Sequence, residues 1–154
     1  MTMVFSEKQK RVLGWWTRGS AERGRDALIC DGAVRSGKTL SLGLSFVLWS
    51  MARFRGQQFA LCGKTRESIR RNLLPGVLPL LGELGFRWEE KVSKGELKIR
   101  CGQRENTYYL FGGKDEGSAA LIQGITLAGG LLDEVALMPR SFVEQACARC
   151  SVAG

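Results

Sequence analysis

The chain of 154 residues has no histidine. That absence removes histidine-based nucleophile triads and every histidine-ligated metal centre. No apolar run approaches the roughly 20 residues needed to cross a bilayer. The first stretch, residues 1–11, has lysines with no apolar segment behind them, unlike a secretory leader. Both features point to a cytoplasmic protein without a membrane partner. Cys30, Cys62, Cys101, Cys147 and Cys150 are odd in number and irregular in spacing, a poor disulfide framework. Cys147 and Cys150 have metal-like spacing, but with no second pair and no histidine they cannot complete a tetrahedral zinc site. With only 3 prolines, and no repeat or low-complexity tract, nothing divides the chain.

What is present is a globular composition, 44% hydrophobic and 25% charged. The length predicts a single domain, 1–154, able to bury about 68–70% of its unfolded surface. Lysine plus arginine number 23 against 15 acids, a formal charge of +8. Such a surplus attracts phosphates over a Debye length and favours a polyanionic partner or substrate.

Hydrophobic patterning then places the elements. Residues 6–16 read as a helix with Ser6 as N-cap and Val12, Leu13 and Trp16 on one face. Residues 26–31 form a short apolar run, as in a strand buried on both faces of a parallel sheet. Residues 39–54 leave almost no polar face, so that helix is expected to be buried. Residues 58–62 read as a second internal strand, followed by a helix capped by Thr65, running through Leu74 and ended by Pro75. Residues 86–89 and 96–101 alternate apolar and polar positions around Ser93, Lys94 and Gly95, which predicts a hairpin with one solvated side. Residues 107–111 and 127–132 are further strands, residues 118–123 a short helical turn and residues 141–149 a last helix. Strand and helix alternate, so the fold class is α/β with a mainly parallel sheet flanked by helices and a β-hairpin insertion.

The chemistry concentrates in two places. Gly32-Ala33-Val34-Arg35-Ser36-Gly37-Lys38-Thr39 is a complete G-x-x-x-x-G-K-[ST] motif, set between a predicted strand and a predicted helix. Glycine lets backbone N–H groups turn inward around phosphate oxygens, and the helix N-terminus adds partial positive charge. Lys38 is placed to reach the β- and γ-phosphates of ATP, and Thr39 to offer its hydroxyl to Mg²⁺. Leu131-Leu132-Asp133-Glu134 supplies a strand ending in a carboxylate. Asp133 is assigned to Mg²⁺, largely through water, and Glu134 to polarising the attacking water as general base. Lys114-Asp115-Glu116 competes for that role, but Gly112, Gly113 and Lys114 separate its acids from the preceding apolar run. The fold is therefore read as a P-loop NTPase of the RecA-like kind.

Three further features are weaker. Arg35, inside the loop, can act as an arginine finger in cis. Gln9 has an amide able to read adenine. Arg66, Arg70 and Arg71 cluster on one side of a helix, where they can meet DNA phosphates, a neighbouring subunit or only solvent.

The residues around both motifs resemble the amino-terminal ATPase part of a phage large terminase. The likeness is carried by residues 31–39 with their arginine, by residues 121–139 around the Leu-Leu-Asp-Glu segment, by Lys64 to Arg71, and by Phe5 to Gln9. It implies a motor that couples ATP hydrolysis to packaging double-stranded DNA into a procapsid, with small terminase subunit, portal and a homo-oligomeric ring as partners. It assigns Lys38, Thr39, Arg35, Asp133, Glu134 and Gln9 the roles given above. Such proteins run to several hundred residues with a nuclease domain, so the domain is expected to be incomplete at its C-terminal end and no nuclease activity is expected. A catalytically silent nucleotide-binding remnant and a helicase-like ATPase are the alternative readings.

Overall fold

The computed structural model describes residues 38–114 and 124–132, with side chains from Leu40 onward. The expected helices at 6–16 and 141–149, the strand at 26–31 and the turn at 118–123 lie outside the described residues, as do Cys30, Cys147 and Cys150. The elements are α1 (Lys38–Arg53), β1 (Gln58–Gly63), α2 (Arg66–Asn72), α3 (Leu74–Glu83), β2 (Arg87–Lys91), β3 (Glu96–Cys101), β4 (Arg104–Gly112) and β5 (Gly129–Leu132). Among the described residues they build an α/β domain on one five-stranded sheet, ordered β2-β3-β4-β1-β5. Among the described residues no helix is long and apolar enough to cross a membrane.

β1 pairs in parallel with both β4 and β5, Phe59 lying opposite Tyr108 on one side and Gly129 on the other. β2 and β3 pair antiparallel, and so do β3 and β4. The hairpin is therefore continuous with the sheet and forms its outer edge. Its turn is a single 3₁₀ turn, Val92–Lys94, closed by Gly95 at φ 59°. Only glycine adopts that conformation at no steric cost.

Pro75 does not simply end a helix. α2 stops at Asn72, and Leu73 serves both as its C-cap and as the N-cap of α3, with Pro75 in the first turn of α3. Proline fits there because its missing N–H would have no helical partner. α3 also contains Pro79. The interior proline is tolerated because Leu74, Val77 and Leu81 bury an apolar stripe against the sheet. α2 begins as its sequence indicates: Ser68 N–H donates to Thr65 Oγ1 at 3.0 Å and Thr65 N–H donates to Ser68 Oγ at 3.1 Å, a reciprocal cap.

α1 is buried as expected, down to its serines Ser41, Ser45 and Ser50. It packs on the sheet through an aromatic cluster in which Phe59 stacks on Tyr108 at 5.2 Å and Phe46 meets Phe59 edge-on. The amino end of β4 grips the C-terminal turn of α1. Asn106 is 1% exposed; its Nδ2 donates to the carbonyl of Phe54 at 3.2 Å and its Oδ1 accepts from Gln57 N–H at 2.9 Å. Arg104 donates to the carbonyls of Met51 and Ala52 at 3.0 and 2.7 Å. These carbonyls would otherwise lack helical partners, and a cation there complements the helix dipole.

Tyr108 is fully buried and its hydroxyl is hydrogen-bonded to Ser50 Oγ, which itself donates to the carbonyl of Val47. Burial pushes the phenol well above its ordinary value, against a smaller opposing effect of the bond to Ser50. The unfolded phenol ionises near pH 10, so the contribution of neutral Tyr108 is complete below that pH and is lost as pH rises above it. Tyr108→Phe should cost about 1 kcal/mol near neutrality. It should also flatten the loss of stability as pH rises above about 10, read from urea midpoints. A slope identical to that of the parent chain would show that Tyr108 does not carry the alkaline transition.

Candidate nucleotide site at the carboxyl edge of the sheet

In open α/β sheets ligands bind beyond the carboxyl ends of the parallel strands. The three parallel strands among the described residues end together. Gly63 of β1 is in register with Gly112 of β4, and Cys62 with Leu132 of β5. The β1–β4 ladder continues past the strands, Gly113 N–H donating to Gly63 O and Lys114 N–H to Lys64 O, both at 2.9 Å. Lys64 and Lys114 are thereby brought side by side on this edge. Asp133 follows Leu132 directly in the chain.

α1 runs against these strands. Its C-terminal turn is bonded to the amino end of β4, and Trp49 lies over Gly129 at the amino end of β5. Its amino end therefore points to the carboxyl edge. Gly43 and Leu61 line the same small void. Five residues back along the helix, about 7.5 Å, lies Lys38; two residues on along the strand, about 6.6 Å, lies Gly63. The backbone of Lys38 and Thr39 thus stands level with the strand ends. Lys38 and Thr39 open α1, while Gly32, Ala33, Val34, Arg35, Ser36, Gly37, Gln9, Asp133 and Glu134 lie outside the described residues, as do the competing acids Asp115 and Glu116. β4, which leads to Lys114, is separated from β5 by β1.

The arginine cluster is divided by the structure. Arg66 Nε donates to the carbonyl of Leu110 at 3.1 Å. Arg70 Nε donates to Glu90 Oε2 and its NH2 to the carbonyl of Val92, each at 2.7 Å. Both guanidiniums tie α2 to the hairpin and β4. Arg71 is the most exposed, its side chain 71% accessible and 3.3 Å from Glu67. The residues that sequence patterning missed are Arg104, Asn106 and the Trp49–Gly129 contact. All act between segments about 50 or more positions apart, and only the consecutive glycines within a strand hint at a close approach.

Among the described residues no group of three or more cysteine, aspartate, glutamate or histidine side chains comes together. Thr39 and Asp133 offer only oxygen donors, the set that suits Mg²⁺.

Neither a protein-family model nor a curated protein matches the chain. Solved structures do. The large terminase of a thermophilic bacteriophage is 48% identical with a TM-score of 0.94, over 99% of this chain and 37% of that one. The same phage protein in complex with ADP is 46% identical with a TM-score of 0.91, over 98% and 37% of the two chains. In complex with ATP-γ-S it is 45% identical with a TM-score of 0.89, over 98% and 36%. The ATPase domain of the Thermus phage P74-26 large terminase shares the fold at a TM-score of 0.54 and 17% identity, over 75% of this chain and 52% of that one. The chain spans a little over a third of the length of the first of these terminases. Alike in sequence and in fold along nearly its whole length, it belongs to the phage large terminases.

Proposed function

We infer that the chain binds and hydrolyses ATP at the carboxyl edge of its sheet, as the motor domain that drives double-stranded DNA into a procapsid. One observation carries this reading. α1, which opens with Lys38 and Thr39, starts at the edge where β5 ends, one residue before Asp133. The complexes of the thermophilic phage terminase with ADP and ATP-γ-S support it, since those structures match nearly all of this chain.

In this site the amides of Gly32 to Lys38 enclose the phosphate tail and Lys38 neutralises the β- and γ-oxygens. Thr39 and Asp133 hold Mg²⁺, which when bound screens the charge of the phosphates. Glu134 accepts a proton from the attacking water, and Arg35 spreads over the γ-phosphate as charge develops. Gln9 reads the adenine edge. DNA, the small terminase subunit, the portal and a ring of identical chains are the proposed partners. Surplus positive charge makes the DNA affinity fall steeply with salt.

Lys38→Ala tests the site. Loss of a charge-assisted contact worth about 1.5–3 kcal/mol should weaken ATP binding about 10- to 100-fold in a calorimetric titration. Unchanged affinity would remove Lys38 from the nucleotide and, with it, the phosphate-binding loop from this function.

A further inference from the structure

The charges on the outer face of the hairpin are paired in all but one place. Leu97 and Ile99 of β3 belong to the core, and successive side chains of a strand alternate between the two faces of its sheet. Glu96, Lys98 and Arg100 therefore stand on the opposite face, with the residues of β2 that lie across from them in register. Lys91 is opposite Glu96 and Glu89 is opposite Lys98, two rows in which unlike charges meet. In the third row Arg87 is opposite Arg100. Like charges directly opposed across a ladder weaken it. A local preference broken with no local gain is a mark of function.

The inner of these two arginines already has a partner. Arg100 Nε donates to Glu105 Oε2 at 2.8 Å, and a second guanidinium nitrogen meets the same oxygen. Glu105 lies opposite Arg100 on β4 and completes the row. Arg87, on the edge strand, is exposed, and among the described residues its side chain has no hydrogen bond or ion pair. Two cations thus share one carboxylate, and the excess charge sits at the open end of the row. These three residues, with Trp88, Glu89 and Lys98, line a cleft of about 180 Å³. At about 30 Å³ per water, that is room for a phosphate group and several waters.

We propose that this cleft takes a phosphate of duplex DNA, with Arg87 as its main contact. The role rests on the DNA partner proposed above and gives that partner a place on the molecule. A guanidinium meets phosphate oxygens with paired N–H donors, and an anion seated there relieves the repulsion between Arg87 and Arg100. A carboxylate from a second copy of the chain can meet the same donors, but an exposed pair of that kind gains little. A DNA phosphate, once neutralised, releases condensed counterions. The surplus of 23 basic over 15 acidic residues draws such a polyanion to the surface.

The test is fluorescence anisotropy of a labelled DNA duplex titrated with the full chain over a series of salt concentrations. Arg87→Ala is compared with Lys91→Ala, which removes the same charge from the same strand but from a row with a matched acid. Arg87→Ala should weaken binding about tenfold at low salt and lower the slope of log affinity against log salt by about one. Lys91→Ala should leave that slope unchanged. Glu105→Gln, which releases Arg100 to the same phosphate, should strengthen binding and steepen the slope. Urea midpoints of Arg87→Ala should match the parent, since an exposed arginine facing a like charge contributes nothing to the fold. Equal affinity and slope in Arg87→Ala and Lys91→Ala would overturn the proposal. So would a loss of self-association in Arg87→Ala, read by sedimentation, with DNA binding intact; that result assigns the cleft to a second copy of the chain. Failure of the parent to bind duplex DNA even at low salt would instead remove the DNA partner itself, and this site with it.

Discussion

Replacing Glu134 by glutamine is expected to slow phosphate release from ATP about 10²- to 10⁴-fold, with ATP affinity held within about twofold. The two side chains have the same shape, but the amide cannot accept a proton from water. In the proposed site binding rests elsewhere, on the backbone amides of the glycine loop and on Lys38, the residue that opens α1. Loss of rate without loss of affinity is therefore the signature of the proposed base. Steady-state phosphate release read beside calorimetric affinity distinguishes the outcomes. Equal rates for parent and variant would take Glu134 out of the chemistry, and ATP binding without turnover in the parent would favour the catalytically silent reading.

Asn106→Leu should be the most damaging substitution for stability. The side chain is 1% exposed and bonds to Gln57 N–H, to the carbonyl of Phe54 and, at 3.4 Å, to that of Ser50. Leucine fills a similar volume but leaves the Gln57 donor and the Phe54 acceptor without a partner, each costing about 1–3 kcal/mol. A total near 3 kcal/mol follows, about three times that of Tyr108→Phe. Urea unfolding checks it; a loss below about 1 kcal/mol would mean that water replaces the amide. There is also a functional consequence. Asn106 and Arg104 hold the C-terminal turn of α1, the helix whose other end opens with Lys38 and Thr39.

Several elements were readable because their causes are local. The apolar wheel of α1, the Thr65 cap and the Gly95 turn all depend on residues within a few positions of one another. α3 escaped notice for the opposite reason. Two prolines in ten residues are a local argument against a helix, and only the burial of Leu74, Val77 and Leu81 outweighs them. The bonds made by the arginines were hidden for the same reason. Periodicity put Arg66 and Arg70 on one face of a helix, but it could not show that this face meets Leu110, Glu90 and Val92.

By itself the sequence determined the two motifs on which the proposed chemistry rests, a glycine loop ending in Lys38 and Thr39 and an acid pair after an apolar run, because those are matters of residue type and short spacing. Tertiary structure alone decided the sheet order, the merging of the hairpin into the sheet and the seating of α1 on β5 through Trp49 and Gly129. Those features arise from strand register and close packing between segments far apart in the chain. No local preference encodes either one.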